Sequence, residues 1–285
     1  MKKAPLVTVV IPFYSNIKGL LFRSVNSALQ QTHGDIEVIV VDDASPLKAE
    51  HELRSISDDR LLIIRHKTNL NGAIARNTGI DAAKGKFLAF LDYDDFWYKD
   101  KILKQINMFY ELGNDERNVI YTKCKIVSGK RTFVRPKRKI EESESVAHYL
   151  FCSKELIQTS GIFLKTSVAR QVKFDNLKRH QDYQFCIGLD RIGCKFYLIN
   201  SICYEFYQIP KINDFNFSLD WWSKYLHSEH SLVKKGFLLN VVVRSKIQQN
   251  YYKDALIMAL EYKLSFMQFL YIFSRIIAKK ILHFE

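Results

Sequence analysis

KFLAFLDYDDFW, residues 86–97, sets an apolar run (87–91) directly against three carboxylates, Asp92, Asp94 and Asp95, packed into four positions. With Gly85 just upstream, the run reads as a short buried strand. In an open α/β sheet, ligands bind outside the carboxyl ends of the strands, so the acids stand where chemistry is usually done. A local alternative exists, because an Asp before the helical pattern over 98–112 can cap that helix. Asp94 and Asp95 both suit this role.

Upstream, VTVVIP (7–12) is a β-branched run that predicts a first strand. Pro12 is expected to end it near Phe13 and Tyr14, since proline cannot donate to a ladder and is out of place in a central strand. Apolar residues at helical spacing follow over 20–31, and IEVIVV (36–41) gives a second strand that ends in Asp42 and Asp43. This acidic pair precedes a Ser-Pro turn, so local turn chemistry is one explanation for it. A third strand is read over 61–64 and a helix over 72–83, opened by Gly72 without a side chain to hinder close approach. Strands alternating with helices predict a mostly parallel sheet wound as a nucleotide-binding α/β domain.

The 285 residues can bury a substantial core. An excess of 43 basic over 30 acidic residues, +13, favours anionic partners: a phosphorylated substrate, nucleic acid or an acidic membrane face. Five cysteines without CxxC spacing suggest neither a disulfide framework nor a zinc site, and fit a reducing cytosol. The N-terminal apolar run is too short for a signal peptide, and no stretch reaches the roughly 18 apolar residues of a spanning helix.

Four motifs in order, TVVIPFY, VVDDASP, NLNGAIARNTG (69–79) and FLDYDDFW, together with RHQDYQF (179–185), are similar to those of family 2 glycosyltransferases. The resemblance implies a GT-A type (Rossmann-like) α/β fold, a mostly parallel sheet flanked by helices, with a helical C-terminal tail. It implies that Asp92 and Asp94 form a D-x-D element holding Mn²⁺ or Mg²⁺ and the diphosphate, with Asp94 the direct ligand. Asp43 resembles the acid that bonds the uracil ring, with Pro12 and Tyr14 lining the base. Arg76 is similar to an arginine near the nucleobase or diphosphate, and Asp95 is left to begin the next helix. Asp182 matches the catalytic base, although the family more often shows Glu-Asp here and this chain has Gln181. A helix N-terminal acid is the plainer explanation of Asp182, and His180 is a candidate acceptor or phosphate contact.

Three divisions are expected: a nucleotide-sugar-binding half over 1–118, an acceptor-binding half over 119–209 and a helical region over 210–285. Residues 121–140 carry eight basic and no acidic side chains. They read as a solvated loop whose unbalanced charge suits an anionic partner. The tail, 266–284, mixes aromatics and aliphatics with Arg275, Lys279 and Lys280, and suits either a bilayer surface or packing on the core. Trp221, Trp222 and Tyr225 are read as core residues or interfacial anchors.

The reaction implied is inverting transfer of a hexose from a UDP-sugar to a hydroxyl of a lipid-linked or free glycan. The setting implied is surface-polysaccharide assembly, O-antigen or capsule, by a peripheral enzyme on the cytoplasmic face of the membrane. Among rivals, a dehydrogenase lacks its G-x-G-x-x-G turn after the first strand, and a nucleotidyltransferase remains. A nucleic-acid-binding protein rests on charge alone, and acids at two strand ends repel phosphates; no nucleic-acid partner is expected.

Overall fold

Every residue of Val7–Phe13 is buried, which a β-branched run achieves only as a strand covered on both faces. The computed structural model describes residues 4–208 and 214–281, so the expected boundary at 209/210 and residues 282–284 of the tail lie outside the described residues. In chain order the elements are β1 (Val7–Phe13), α1 (Leu20–Leu29), β2 (Ile36–Asp42), α2 (Ala49–Glu52), β3 (Leu61–Arg65), α3 (Gly72–Ala82), β4 (Phe87–Phe90) and β5 (Phe96–Trp97). There follow α4 (Lys101–Glu111), β6 (Asn118–Ser128), β7 (Arg131–Arg135), α5 (Val146–Phe151), a 3-10 turn (Thr159–Gly161), β8 (Phe163–Lys165), α6 (Thr166–Val172), α7 (Gln181–Arg191) and β9 (Lys195–Tyr207). Beyond these lie α8 (Phe215–Tyr225), α9 (Ser231–Phe237), a π turn (Leu238–Val243), α10 (Arg244–Gln248), α11 (Tyr252–Glu261) and α12 (Phe266–Ile281).

These elements form two compact units, one of Met1–Ser143 with Glu155–Ile209 and one of Glu144–Lys154 with Pro210–Glu285. The first is built on one sheet of order β3-β2-β1-β4-β8-β6-β9-β5, with β7 paired to β6. Its β3-β2-β1-β4 half is parallel, as the alternation of strands and helices predicts. Beyond β4 the sheet is mixed, because β8 runs antiparallel to both β4 and β6. α3 lies so close on this sheet that a Cβ on Gly79 would fall 2.3 Å from Val10 Cγ1. The fold is thus the α/β, GT-A type with a helical C-terminal region.

β1 ends at Phe13, as expected, but Pro12 lies inside the strand and does not cause the ending. It pairs in register with Val41 inside β1, the central strand of the parallel half. The Val10 carbonyl accepts from Leu91 N on the β4 side. Two residues on, the N–H that Pro12 lacks faces that same side, beyond the last β4 partner, Phe90. The proline costs no ladder bond there.

Phe96 and Trp97 correct the expectation of a helix from 98. They form β5, paired antiparallel with Tyr204 and Glu205 of β9, and the helix begins only at Lys101. Most of the basic stretch is likewise no loop but the β6–β7 hairpin, with 136–140 irregular beyond it. Two of its balancing carboxylates come from elsewhere, with Lys125 Nζ 3.0 Å from Glu205 and Arg135 3.8 Å from Glu155, while Arg138, past the hairpin, pairs locally with Glu141 at 3.6 Å.

In the second unit Trp221 stacks on Tyr225 and Phe237, each at 5.1 Å, and Phe151 of α5 meets Phe237 edge-on at 5.0 Å. Trp221 and Tyr225 are therefore core. Trp222 is half-buried and donates its indole N–H to the Lys234 carbonyl at 3.1 Å.

Candidate functional site

The acids at the end of β4 have three different environments. Asp92 Oδ1 accepts from Arg76 Nη2 at 2.5 Å and its Oδ2 from Gln158 Nε2 at 2.8 Å. Its backbone N–H donates to Ser160 Oγ (2.9 Å), and its carbonyl accepts from Ser24 Oγ (3.1 Å). Asp94 is half-buried, and its carbonyl accepts from Arg23 Nη2 at 2.5 Å. Asp95 is fully buried and accepts from Ser160 Oγ (2.6 Å), Gln158 Nε2 (3.2 Å) and the Tyr207 backbone N–H (3.1 Å). Burial, with the charges of Asp92 and Asp94, pushes the Asp95 carboxyl well above the usual range.

Asp95 therefore does not begin a helix. The residue in the N-cap position of α4 is Asp100. Asp95 ties the Asp92 strand end to the 158–160 run and to β9. The sequence offered no sign of this, because the three partners lie 63 to 112 positions away.

At the end of β2 the two aspartates separate, since neighbouring strand residues point to opposite faces. Asp42 is consumed by structure: its Oδ1 accepts from Ser45 N (2.8 Å), its Oδ2 from Ala49 N (2.9 Å), and Arg65 pairs with it. Asp43 Oδ1 accepts from Leu70 N and meets His66 Nδ1, both at 2.8 Å. His66, which the sequence reading missed, is steadied in turn by Thr78 Oγ1 at 2.9 Å. Asp43 Oδ2 is buried and has no hydrogen-bond partner among the described residues. A buried acceptor is normally satisfied, so this one is arranged for something that brings a donor. Tyr14, half-exposed, follows Phe13 at the same edge, where Tyr93 packs edge-on against Phe13 at 5.5 Å. β1 lies between β2 and β4. At the usual strand spacing, Asp43 and Asp92 end roughly 10 Å apart.

Arg76 joins the strand ends to α7. Its guanidinium donates to Asp92 through Nη2 and, through Nη1, to Gln181 Oε1 at 2.7 Å, while the buried Nε has no partner among the described residues. A Cβ on Gly72 would sit 3.3 Å from that Nη1 and 3.5 Å from Gln181 Oε1, so glycine leaves room for this bond. Gln181, standing where a glutamate is usual in the resembled family, is a neutral acceptor for Arg76 and donates to the Leu177 carbonyl at 2.5 Å.

Asp182 follows in the first turn of α7. Burial raises its carboxyl to about 6; Arg76 and the Thr159 backbone N–H oppose the rise, while the negative Asp92 adds to it. A carboxyl poised near neutrality suits proton transfer. His180 takes a left-handed conformation (φ 59°), and its ring stacks on Tyr183 at 5.5 Å. Burial and the neighbouring Arg179 push it down to about 4, so it is neutral at pH 7 and brings no positive charge to a phosphate.

The first unit thus draws Asp43, Arg76, Asp92, Asp94 and Asp182, with Pro12 and Tyr14 at the end of β1, to the carboxyl ends of the parallel strands. Missed in the sequence were Gln158, Ser160, Arg23 and His66, which hold these acids. A polar QTS triplet before an apolar run was the one visible hint.

The donor set fits a hard cation of one kind. Among the described residues no cluster of three or more His, Cys, Asp or Glu could hold a metal ion. Both oxygens of Asp92 already accept from Arg76 and Gln158. Mg²⁺ or Mn²⁺ bound by one or two carboxylates, with substrate phosphates completing the shell, needs no larger cluster. Asp94 is the carboxylate at this strand end that would hold such a cation, with Asp92 paired to Arg76 beside it.

The sequence profile described as "Glycosyl transferase family 2" matches residues 8–185 of the chain. Amylovoran biosynthesis glycosyltransferase AmsB of Erwinia amylovora is 38% identical over 201 residues, 67% of this chain and 66% of that protein. The E. coli UDP-Glc:alpha-D-GlcNAc-diphosphoundecaprenol beta-1,3-glucosyltransferase WfaP is 39% identical over 102 residues, 36% of this chain and 40% of that one. The chain therefore spans about two thirds or less of these curated relatives. The crystal structure of S. aureus TarS 1-349 in complex with UDP-GlcNAc superposes with a TM-score of 0.65 at 15% identity, covering 90% of this chain and 79% of that one. At that identity the likeness concerns the fold.

Proposed function

Because the chain belongs to glycosyl transferase family 2, we propose that it moves a hexose from a UDP-sugar to a hydroxyl of a growing glycan, with inversion at the anomeric carbon. The observation that carries this reading is the buried, unpartnered Asp43 Oδ2. The uracil N3–H is a donor that would satisfy it, and the ring of Tyr14 is exposed for contact with the base. From there the roughly 10 Å to the β4 end suits the span from base to diphosphate. Arg76 Nε is a second buried orphan, a donor suited to a phosphate oxygen.

In the reaction, Asp182 takes the proton of the acceptor hydroxyl as that oxygen attacks the anomeric carbon. The bond to the UDP oxygen breaks on the opposite face, and the electron pair leaves with UDP. Arg76 holds Asp92 and stands ready for the negative charge that develops on the diphosphate. Mg²⁺ or Mn²⁺ at Asp94, when bound, supplies further neutralisation of that charge. The acceptor is read as a lipid diphosphate-linked sugar in surface-polysaccharide assembly, by likeness to relatives whose names describe such work. The working location is then the inner face of the cytoplasmic membrane, and residues 119–209 are read as the acceptor half.

Asp43→Asn tests the base assignment. It turns Oδ2 into a donor, which opposes the uracil N3–H and suits the cytosine N3 acceptor. Calorimetry is expected to show UDP affinity falling about 10- to 100-fold while CDP loses far less. An unchanged preference for UDP over CDP would remove Asp43 from the base site.

A further inference from the structure

α12 is covered on one side only. Phe269, Ile272 and Ile276 pack inward, whereas Phe266, Met267, Leu270 and Tyr271 stand 54%, 76%, 43% and 56% exposed. Met267, Leu270, Tyr271, Ser274 and Ala278 recur at spacings of three and four, so they form one stripe of small and apolar side chains along the helix. The last turns of α11 add Ile257 and Leu260, at 50% and 64%, just before the 262–265 turn that leads into α12. Single exposed apolar residues are ordinary, but Met267, Leu270 and Tyr271 lie together on one face of α12 as a patch, with Ile257 and Leu260 exposed on the preceding helix.

The charge around this patch is mixed on α11, where Asp254 and Glu261 are exposed beside Ile257 and Leu260, and basic along α12. Residues 262–281 hold Lys263, Arg275, Lys279 and Lys280 and no acid. Lys280 turns inward to the Ile247 carbonyl (3.2 Å), while Lys263, Arg275 and Lys279 are exposed, and Arg275 Nη1 donates to the Tyr271 hydroxyl at 3.0 Å. Beside the start of α12 a cleft of about 340 Å³ is lined by Leu232, Leu239, Lys235, Lys263, Ser265 and Gln268, with both lysines exposed. Apolar walls with two ammonium groups fit an anionic headgroup on an apolar chain. Sixteen residues rise about 24 Å, and no described helix is long and apolar enough to cross a membrane.

We propose that the α11–α12 face docks in the plane of an anionic bilayer, its apolar side chains at the acyl boundary and the Lys235–Lys263 cleft on a lipid phosphate. This rests on the second unit alone and is independent of the reaction assigned to the first.

The test is flotation of the full chain with vesicles of phosphatidylcholine, alone or mixed with phosphatidylglycerol, with neither donor nor acceptor present. Expected is co-flotation with the mixed vesicles, weakened by salt. Met267→Glu with Leu270→Glu is expected to cut binding at least about tenfold. Lys235→Gln with Lys263→Gln, leaving the apolar face intact, is expected to cut it by about 30-fold, near fivefold per charge. All four positions are solvent-facing or cleft-lining, and unchanged thermal midpoints verify folding. Three results would overturn the proposal: no flotation of the wild type, equal flotation with neutral vesicles, or variants that float like the wild type. A concentration-dependent dimer abolished by the Met267→Glu, Leu270→Glu variant would assign the face to a second copy and overturn it equally.

Discussion

Replacing Asp182 with Asn is expected to lower kcat by about 10²- to 10⁴-fold while UDP-sugar affinity stays within about twofold. The asparagine keeps the size and a hydrogen-bond acceptor for the Thr159 N–H but cannot take a proton. The wild-type pH profile supplies a second readout. The base works only when ionised, and burial holds its carboxyl at about 6. Activity in kcat/KM is therefore expected to fall as pH drops through about 6, and that limb is expected to disappear in the variant. Near wild-type turnover, or an acidic limb at the ordinary carboxylate position, would return Asp182 to the role of a helix N-terminal acid.

The second large effect separates two adjacent acids. Asp95→Ala removes the acceptor of three buried donors, the Ser160 hydroxyl, the Gln158 amide and the Tyr207 N–H. Leaving such groups unpaired costs about 1–3 kcal/mol each at most, so a loss of about 3 kcal/mol in folding stability is expected. Asp94→Ala is expected to abolish the Mn²⁺-dependent part of UDP affinity and, at a half-buried position where Asp95 is fully buried, to lose less stability than Asp95→Ala. Calorimetry of UDP with and without Mn²⁺, beside thermal melts of both variants, distinguishes them. An Asp94→Ala protein with unchanged Mn²⁺-UDP affinity, or an Asp95→Ala protein as stable as the wild type, contradicts the division of roles.

That division marks where the sequence stops being legible. Local pattern suffices to see β1, β2 and β4, because buried parallel strands are continuous apolar runs and their acidic ends stand out against them. It also suffices to put Asp43, Arg76, Asp92 and Asp182 on the list of candidates. It does not say which member of the Asp42–Asp43 pair is spent on the fold, since that depends on Arg65 and the Ala49 N–H across the sheet edge. It misjudged Pro12, whose position is tolerated only because β4 stops two residues short of it. It gave Asp95 to a helix cap, although its partners lie 63 to 112 positions further along the chain. Nor could most of the basic run be seen as a hairpin with carboxylates from Glu205 and Glu155, because charge balance in a fold is struck between segments.

The site has a shared logic. Arg76 spans Asp92 and Gln181, so the end of β4 and the helix bearing Asp182 share one guanidinium. The 158–160 run binds Asp92 and Asp95 through side chains and Asp182 through the Thr159 N–H. The proposed nucleotide side and base side are thereby held to a common frame. Such a frame is what an in-line displacement requires, since nucleophile and leaving group must stay opposed.

The most direct measurement of the central claim is product analysis. The full chain is incubated with a panel of labelled UDP-hexoses, Mn²⁺ and a short prenyl-diphosphate-linked sugar, and the anomeric configuration of the product is read by NMR. Expected is transfer from at least one UDP-hexose, giving a glycoside inverted relative to the donor. Retained configuration, or no transfer from any nucleotide sugar by a protein that binds UDP, would contradict it.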